Sequence, residues 1–413
     1  MIKVGLNIGN SKISCAVIEI KDNNNIKLLS CESYPSKILK KNIITNFDEL
    51  LSDVRSLINE SEKKSHTKIN SINLNIPTVE SISKYYDSEI NNINSEITEL
   101  DIKKAINNSD YFAVKEDYFE ILNNIYGYIL DNNLLFNSPV GNYANYLKIL
   151  FYKILIPYKT LNSYKNIIDK LNIKIDNFVP SPLSSSLAVL SEDEKMIGSI
   201  CIDLGHSNTS ISIFENNNFI YGDSVLVGSN NITNDIARGV STTLDSAERL
   251  KTLYSSLISA PSDEYEIIEV PIISGENDKF VQINRLKINS IVKPRVEETL
   301  EMIWQKLKQN NLDKKQIKNV VLTGGGSQLE GISQYAEMIF SSNVRIGFPK
   351  EDIIPDKSLI NSSFSDVIGS SLFNPDVFLD KILDKQGKKQ KKQGFKGFFN
   401  WLDQYIWYTI YRY

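Results

Sequence analysis

The chain has 413 residues, which is more than one ordinary hydrophobic core accommodates, so we expect two or more domains. Its composition, 41% hydrophobic and 23% charged with a formal net charge of −4, is that of a globular protein and gives no electrostatic reason to expect a nucleic-acid partner. Three cysteines and two histidines without metal-ligand spacing argue against a disulfide framework and against a histidine-based metal site.

The first motif is VGLNIGNSKIS, residues Val4–Ser14. An apolar run leads into a turn that carries Gly9, Asn10, Ser11 and Lys12, and a second strand-like run follows. Backbone N–H groups, a hydroxyl and an ammonium are the donors that hold phosphate. One residue departs from this pattern, because Asn7 stands where such a turn would carry an acid to organise a metal.

The next segments are of mixed type. Apolar residues at helical spacing predict helices over Phe47–Ile58, Tyr158–Leu171 and Val179–Leu190. Between Pro77 and Pro157 the sequence becomes rich in Tyr and Asn, with a strand predicted at Tyr146–Ile156. This change of composition indicates an inserted subdomain.

The stretch Ile200–Ile213, ICIDLGHSNTSISI, is an internal repeat of the first motif. When the two are aligned, Gly9 falls on Gly205, Ser11 on Ser207, and Asn7 on Asp203. Two such hairpins half a chain apart predict a duplicated, two-lobed fold with the ligand between the lobes. The alternative is that two unrelated β-hairpins look alike over this length.

Two helices are predicted next, over Thr242–Ile258 and Ile288–Leu307. A strand then runs into three glycines in Val320–Gly331, VVLTGGGSQLEG, ahead of a predicted helix. Glycines let the backbone approach a ligand closely, and a helix N-terminus offers free N–H groups. On its own the motif fits a plain strand-to-helix turn equally well.

The C-terminal end has a different character. Between Lys381 and Lys396 there are seven Lys and one Asp, which indicates a flexible basic linker. The following segment, Gly394–Tyr413, has the aromatic content and amphipathic spacing of a helix lying in a membrane interface. The alternative is a last helix docked on the protein. The predicted membrane-binding residues are Phe395, Phe398, Phe399, Trp401, Leu402, Ile406 and Ile410.

In this order, GLNIGNSK, IDLGHSNTS and LTGGGSQLEG resemble the two phosphate loops and the adenosine loop of the actin/Hsp70/sugar-kinase ATPase superfamily. Within it the chain resembles the FtsA family of bacterial division proteins over essentially its whole length. The particular features are SPVG at Ser138–Gly141, Gly228 with the segment Asn234–Ile236, SAERLK at Ser246–Lys251, VRIGFP at Val344–Pro349, and the terminal helix on its linker.

The resemblance implies an α/β, two-lobed actin-like ATPase fold with an inserted subdomain 1C and a C-terminal amphipathic helix. The expected division is 1–76 for the first part of subdomain 1A, 77–157 for 1C, 158–225 for the first part of 2A, 226–287 for 2B, 288–334 for the return of 2A, 335–374 for the return of 1A, 375–394 for the linker and 395–413 for the helix.

The resemblance also implies a site for ATP or ADP with Mg²⁺. Asp203 would be the catalytic acid and would hold Mg²⁺ through water. Glu248 and Lys251 would hold the ribose and base region. The other expected nucleotide-binding residues are Asn7, Gly9, Asn10, Ser11, Lys12, Gly205, His206, Ser207, Asn208, Thr209, Gly228, Gly324, Gly325, Gly326 and Ser327.

Three departures from the family pattern predict slow or absent hydrolysis. Asn7 removes a charge near the metal, and His206 replaces a glycine in the second loop. The family's Gln at the start of the first connecting segment, which can orient water, has no clear counterpart, and counting back from SPVG places Tyr126 there. Hydrolysis needs a positioned water, a metal and stabilised charge on the γ-phosphate. The alternative is that nucleotide binding itself has been lost.

The resemblance therefore implies a self-associating adaptor that holds FtsZ filaments on the inner face of the cytoplasmic membrane at the division septum and recruits later division proteins. The FtsZ C-terminal peptide would bind subdomain 2B, where Arg285 and Lys287 are candidate contacts. One alternative is a scaffold of a pilus or secretion system, similar to PilM. Another is a sugar or acid kinase, or a phosphatase, of the same superfamily.

Overall fold

The computed structural model describes residues 1–21, 25–40, 42–108, 117–258, 260–273, 280–312, 319–354 and 359–375. The predicted terminal helix lies outside the described residues, as does its linker beyond residue 375. Within the described part, none of the helices has the length and apolar character needed to cross a bilayer.

The described residues form both strands and helices. The strands are β1 (Ile2–Ile8), β2 (Lys12–Ile20), β3 (Ile26–Pro35), β4 (Leu39–Lys40), β5 (Ile43–Ile44), β6 (Ser71–Ile76), β7 (Ile82–Glu96), β8 (Tyr118–Leu130), β9 (Asn133–Leu135), β10 (Tyr143–Pro157), β11 (Lys174–Pro180), β12 (Ser199–Leu204), β13 (Thr209–Glu215), β14 (Asn218–Val225), β15 (Ile267–Pro271), β16 (Phe280–Asn284), β17 (Asn319–Thr323) and β18 (Asn343–Ile346). The helices are α1 (Phe47–Ser65), α2 (Glu99–Asn108), α3 (Tyr158–Lys170), α4 (Ser181–Val189), α5 (Glu192–Ile197), α6 (Ser229–Gly239), α7 (Leu244–Tyr254), α8 (Arg285–Gln309), α9 (Ile332–Phe340) and α10 (Ser365–Leu372).

Two five-stranded sheets share one strand arrangement. Their orders are β3–β2–β1–β6–β11 and β14–β13–β12–β17–β18. In each, three consecutive antiparallel strands are followed by two parallel ones. The registers also agree, because Asn7 lies opposite Ser14 and Asp203 lies opposite Ser210. The internal repeat predicted from the sequence is therefore confirmed as a duplication of the hairpin and of the sheet around it.

Several helices begin where the sequence supplies a capping side chain. The Asn46 carboxamide accepts a hydrogen bond from the N–H of Glu49 at the start of α1. Ser191 and Glu194 form a reciprocal capping box on α5, and Asn284 caps α8. Each cap satisfies backbone donors that the first turn leaves unpaired.

The helices predicted from apolar spacing are confirmed, with shifted ends: α1 continues to Ser65, and α8 begins at Arg285. The helix predicted after the glycine turn is confirmed as α9, which begins at Ile332, and a 3₁₀ segment, Gly325–Gln328, lies between it and the glycines. The N-terminus of α9 is therefore separated from the glycine turn.

The stretch rich in Tyr and Asn forms a third sheet, of order β7–β10–β8–β9, with α2 packed on it. A small core of its own includes Ile102, Leu147 and Phe151. The opposite face of this sheet contacts the edge strand β14: the Tyr152 hydroxyl donates to the carbonyl oxygen of Gly222 at 2.7 Å and accepts from the N–H of Gly222 at 2.8 Å. The subdomain bounds drawn from the sequence stay predictions.

Two helices pack against each other between the five-stranded sheets. Helix α10 lies on β1 and on α4, and α4 in turn contacts β12 and β13. The approach is close enough to require glycine, since a Cβ at Gly369 would lie 1.7 Å from the carbonyl oxygen of Ser184. Likewise, a Cβ at Gly5 would lie 2.3 Å from the carbonyl oxygen of Val367. These contacts fix where α10 begins relative to both sheets.

Candidate functional site

A cavity of about 530 Å³ opens where β1 and β12 end. Both hairpin loops and the glycine turn line it, so the structure brings the three sequence motifs together. The predicted residues that line it are Asn7, Gly9, Asn10, Ser11, Lys12, Asp203, Gly205, His206, Ser207, Asn208, Glu248, Lys251, Gly324, Gly325 and Gly326.

The two hairpin turns have the same backbone geometry. The N–H of Gly9 donates to the carbonyl oxygen of Lys12 at 3.0 Å, and the N–H of Gly205 donates to that of Asn208 at 3.1 Å. A Cβ at either glycine would lie within 3 Å of the acceptor, at 2.9 Å and 2.7 Å. Glycine is therefore a steric requirement of both turns.

Three predicted binding residues do not line the cavity. The Thr209 hydroxyl donates to the carbonyl oxygen of Val227, and that of Ser327 donates to the carbonyl oxygen of Gly324. Gly228 lies against the backbone of the second loop, where a Cβ would be 2.5 Å from the carbonyl oxygen of His206. These three residues therefore stabilise the loops and do not line the cavity.

Lys12 is the cation of the first loop, and burial lowers its pKa, against the attraction of Cys31, Asp366 and Asp203. Its Nζ donates to the Ser363 hydroxyl at 2.9 Å and lies 3.9 Å from the centre of the Phe364 ring. The ammonium is thus held beside the cavity, where it can pair with an anion.

Two carboxyl groups meet on the cavity wall. Asp203 is the penultimate residue of β12, and Asp366, which sequence reasoning missed, lies in the first turn of α10. Burial raises the pKa of both, and the Asp203 carboxyl raises that of Asp366 further. Gly324 leaves space for these carboxyl groups because it has no side chain. A Cβ at this position would lie 2.1 Å from Oδ1 of Asp203.

Glu248 and Lys251 form a linked pair on α7. The Lys251 Nζ donates to Oε2 of Glu248 at 2.7 Å and to the Thr233 hydroxyl at 3.0 Å. His206, from the second loop, lies near this pair, and its pKa is lowered by burial and by Lys251, against the attraction of Glu248. Both signs of charge therefore face this part of the cavity.

The assignment of the water-orienting position to Tyr126 does not fit the structure. Tyr126 lies in β8, does not line the cavity, and packs edge-on against Tyr85. The segment that passes from the first five-stranded sheet to the second is α4, and its first residue, Ser181, does line the cavity. The Ser181 hydroxyl donates to Oδ1 of Asn75 at 2.6 Å, so its proton is already engaged.

Other lining residues carried no signal in the sequence, because their side chains are common polar types that only the fold gathers. They include Asn42, Asn75, Ser181, Ser229, Gln328, Ser362 and Ser363. Asp366 had a weak signal, as a single acid within a run of small and apolar residues, SFSDVIGSS.

The acids of the site do not form a complete metal centre by themselves. Among the described residues there is no cluster of three or more His, Cys, Asp or Glu side chains placed to hold a metal ion. Mg²⁺ commonly uses one or two carboxylates together with phosphate oxygens and water. Asp203 and Asp366 fit that pattern.

Comparison with known sequences finds the FtsA family. The model described as "Cell division protein FtsA" matches residues 200–369. Proteins of that name from Agrobacterium fabrum and Neisseria meningitidis are each 28% identical, over 83% and 84% of this chain and 80% and 83% of theirs. The protein of that name from Escherichia coli is 23% identical over 84% of both chains.

Comparison with solved structures finds actin-like folds. The type IV pilus biogenesis complex PilM–PilN matches with a TM-score of 0.61 and 13% identity, over 90% of this chain and 97% of that one. MreB5 of Spiroplasma citri bound to ADP matches with a TM-score of 0.53 and 12% identity, over 91% and 97%. The actin-like fold and the family resemblance inferred from the sequence are both confirmed, and the terminal helix expected with that fold stays a prediction.

The glycine turn provides a test of the site geometry. Gly324 has φ +83°, which disfavours any side chain, and its Cβ would overlap Asp203. We therefore expect Gly324→Ala to lower the free energy of unfolding by at least about 2 kcal/mol in urea denaturation. Gly325→Ala is the matched control, because its Cβ would meet its nearest atom at 3.9 Å. Equal effects of the two substitutions would contradict this geometry.

Proposed function

We propose that this chain, an FtsA-like protein with the actin-like ATPase fold, is a nucleotide-binding adaptor of the bacterial division machinery. ATP or ADP would bind between the lobes, and the terminal helix would hold the protein on the inner face of the cytoplasmic membrane at the septum. The protein would associate with itself, with the FtsZ C-terminal peptide and with later division proteins.

The observation that carries the nucleotide proposal is the meeting of both hairpin loops and the glycine turn in one cavity. The turns offer backbone N–H groups, Ser11 and Ser207 offer hydroxyls, and Lys12 offers charge. Donors from two sides would enclose a phosphate chain. The related fold of MreB5, bound to ADP or AMPPNP, supports the same ligand class here.

Slow turnover is proposed from three positions within the described part of the chain. Asn7 is neutral, Tyr126 lies away from the cavity, and the Ser181 hydroxyl is engaged with Asn75. Phosphoryl transfer depends on positioning the nucleophile as well as on the metal. We therefore propose that the nucleotide acts mainly as a conformational ligand.

We expect the protein to bind a fluorescent ATP analogue and to hydrolyse ATP at well below about 1 s⁻¹. Lys12→Met should weaken binding by about 10- to 100-fold, because a charge-assisted contact to phosphate is lost while the apolar stem is kept. Equilibrium titration and a steady-state phosphate assay measure the two quantities.

The control for this experiment is Lys170→Met, which removes an exposed lysine at the end of α3, outside the cavity. Equal affinity of the two variants would contradict the role of Lys12. Fast hydrolysis by the wild-type protein would contradict slow turnover.

The membrane proposal is supported by the sequence of the C-terminal segment and by the family resemblance. Its basic linker would add about 1 kcal/mol per lysine near an anionic surface. We expect the full chain to sediment with anionic liposomes and a chain ending at Gln393 to stay in solution, both with ATP present. Equal sedimentation of the two would overturn the tether.

Binding to FtsZ would distinguish this protein from a PilM-like scaffold, whose fold it shares. Of the two candidate contacts, the Arg285 guanidinium already pairs with Glu330 and donates to the carbonyl oxygen of Tyr254, whereas Lys287 is exposed. We expect an immobilised FtsZ C-terminal peptide to retain the protein, and Lys287→Glu to reduce retention relative to Lys170→Glu. No retention of the wild-type chain would favour the pilus-type scaffold.

A further inference from the structure

Asp366 is a charged residue of the cavity to which the functional proposal gives no role. Its Oδ1 atom is buried and has no hydrogen-bond partner among the residues that the structure describes. An unsatisfied buried carboxylate oxygen costs free energy unless something else completes its environment. Because Asp366 lines the cavity, that missing partner would come from a ligand.

The neighbour of Asp366 is Asp203, and both carboxyl groups line the same cavity. Lys12 attracts both acids, but its Nζ donates to Ser363 and lies over the Phe364 ring. The pair therefore retains capacity for a further positive charge.

The placement of the pair also bears on Asn7. Asn7 and Asp203 occupy equivalent register positions in the two hairpins, so the duplicated fold would place one acid on each side of the cavity. On the first side this position carries the neutral Asn7. Asp366 comes to the same cavity from a third element, α10, and places a second aspartate beside Asp203.

We propose that Asp366 takes over the function of the acid missing at position 7. Asp366 and Asp203 together supply the protein ligands of a divalent-cation site, and the phosphates of a bound nucleotide complete it. This inference rests on the proposed nucleotide binding. Oxygen ligands in this number, with water and phosphate, suit Mg²⁺ or Mn²⁺.

The test measures Mn²⁺ binding to the protein–ADP complex by electron paramagnetic resonance, on the full chain. Asp366→Asn keeps the shape of the side chain and removes its charge, so we expect the Mn²⁺ affinity of the complex to fall by about 10- to 100-fold. Asn7→Asp, combined with Asp366→Asn, returns a carboxylate to the cavity and should recover most of that loss.

Two controls separate the possible failures. Asp169→Asn removes an exposed acid on α3, outside the cavity, and should leave Mn²⁺ affinity unchanged. Binding of ADP in the presence of EDTA is measured for every variant, together with thermal unfolding. A wild-type protein that binds no ADP would refute the proposed nucleotide function.

A wild-type protein that binds ADP, with Mn²⁺ affinity equal in the wild type and Asp366→Asn, would overturn the inference alone. That result would show that Asp203 and Asp366 are a structural pair that does not bind the cation. The double variant could also fold and bind ADP without recovering Mn²⁺ affinity. That result would contradict the proposal that Asp366 replaces an acid at position 7.

Discussion

The close packing of α10 on α4 is the constraint on which the site depends. It is possible only because Gly369 has no side chain where α10 meets the carbonyl oxygen of Ser184, and because Gly5 lets β1 approach the same helix. The contact fixes the first turn of α10, and with it Ser363, Phe364 and Asp366. These residues hold Lys12 and contact Asp203, so the charges of the cavity are set by a helix pair outside both hairpins.

The duplicated hairpins explain why one cavity can enclose a phosphate chain from two sides. Each turn needs glycine for the same steric reason, and each presents its N–H groups at the end of a buried strand. The duplication is not symmetric in charge. The first hairpin carries Lys12 and neutral Asn7, whereas the second carries Asp203. This asymmetry is compatible with binding an anionic nucleotide and a cation together.

The sequence predicted what depends on local pattern. The two hairpins with their loop residues, and the amphipathic helices such as α1 and α8, follow from glycine turns and apolar spacing, whereas Glu248 and Lys251 were implied by the family resemblance. It did not reveal Asp366, because only the packing of α10 brings that residue to Asp203. Counting along the chain misplaced the water-orienting position at Tyr126, since β8 belongs to a different sheet from the cavity strands.

The proposed function requires a single nucleotide to contact both hairpin loops at once. Amide hydrogen exchange of the full chain, with and without ATP and Mg²⁺, tests this directly. Exchange should slow in residues 9–12 and in residues 205–209 at the same ligand concentration, because one ligand covers both turns. Protection of only one loop, or of neither at a concentration that saturates binding, would contradict it.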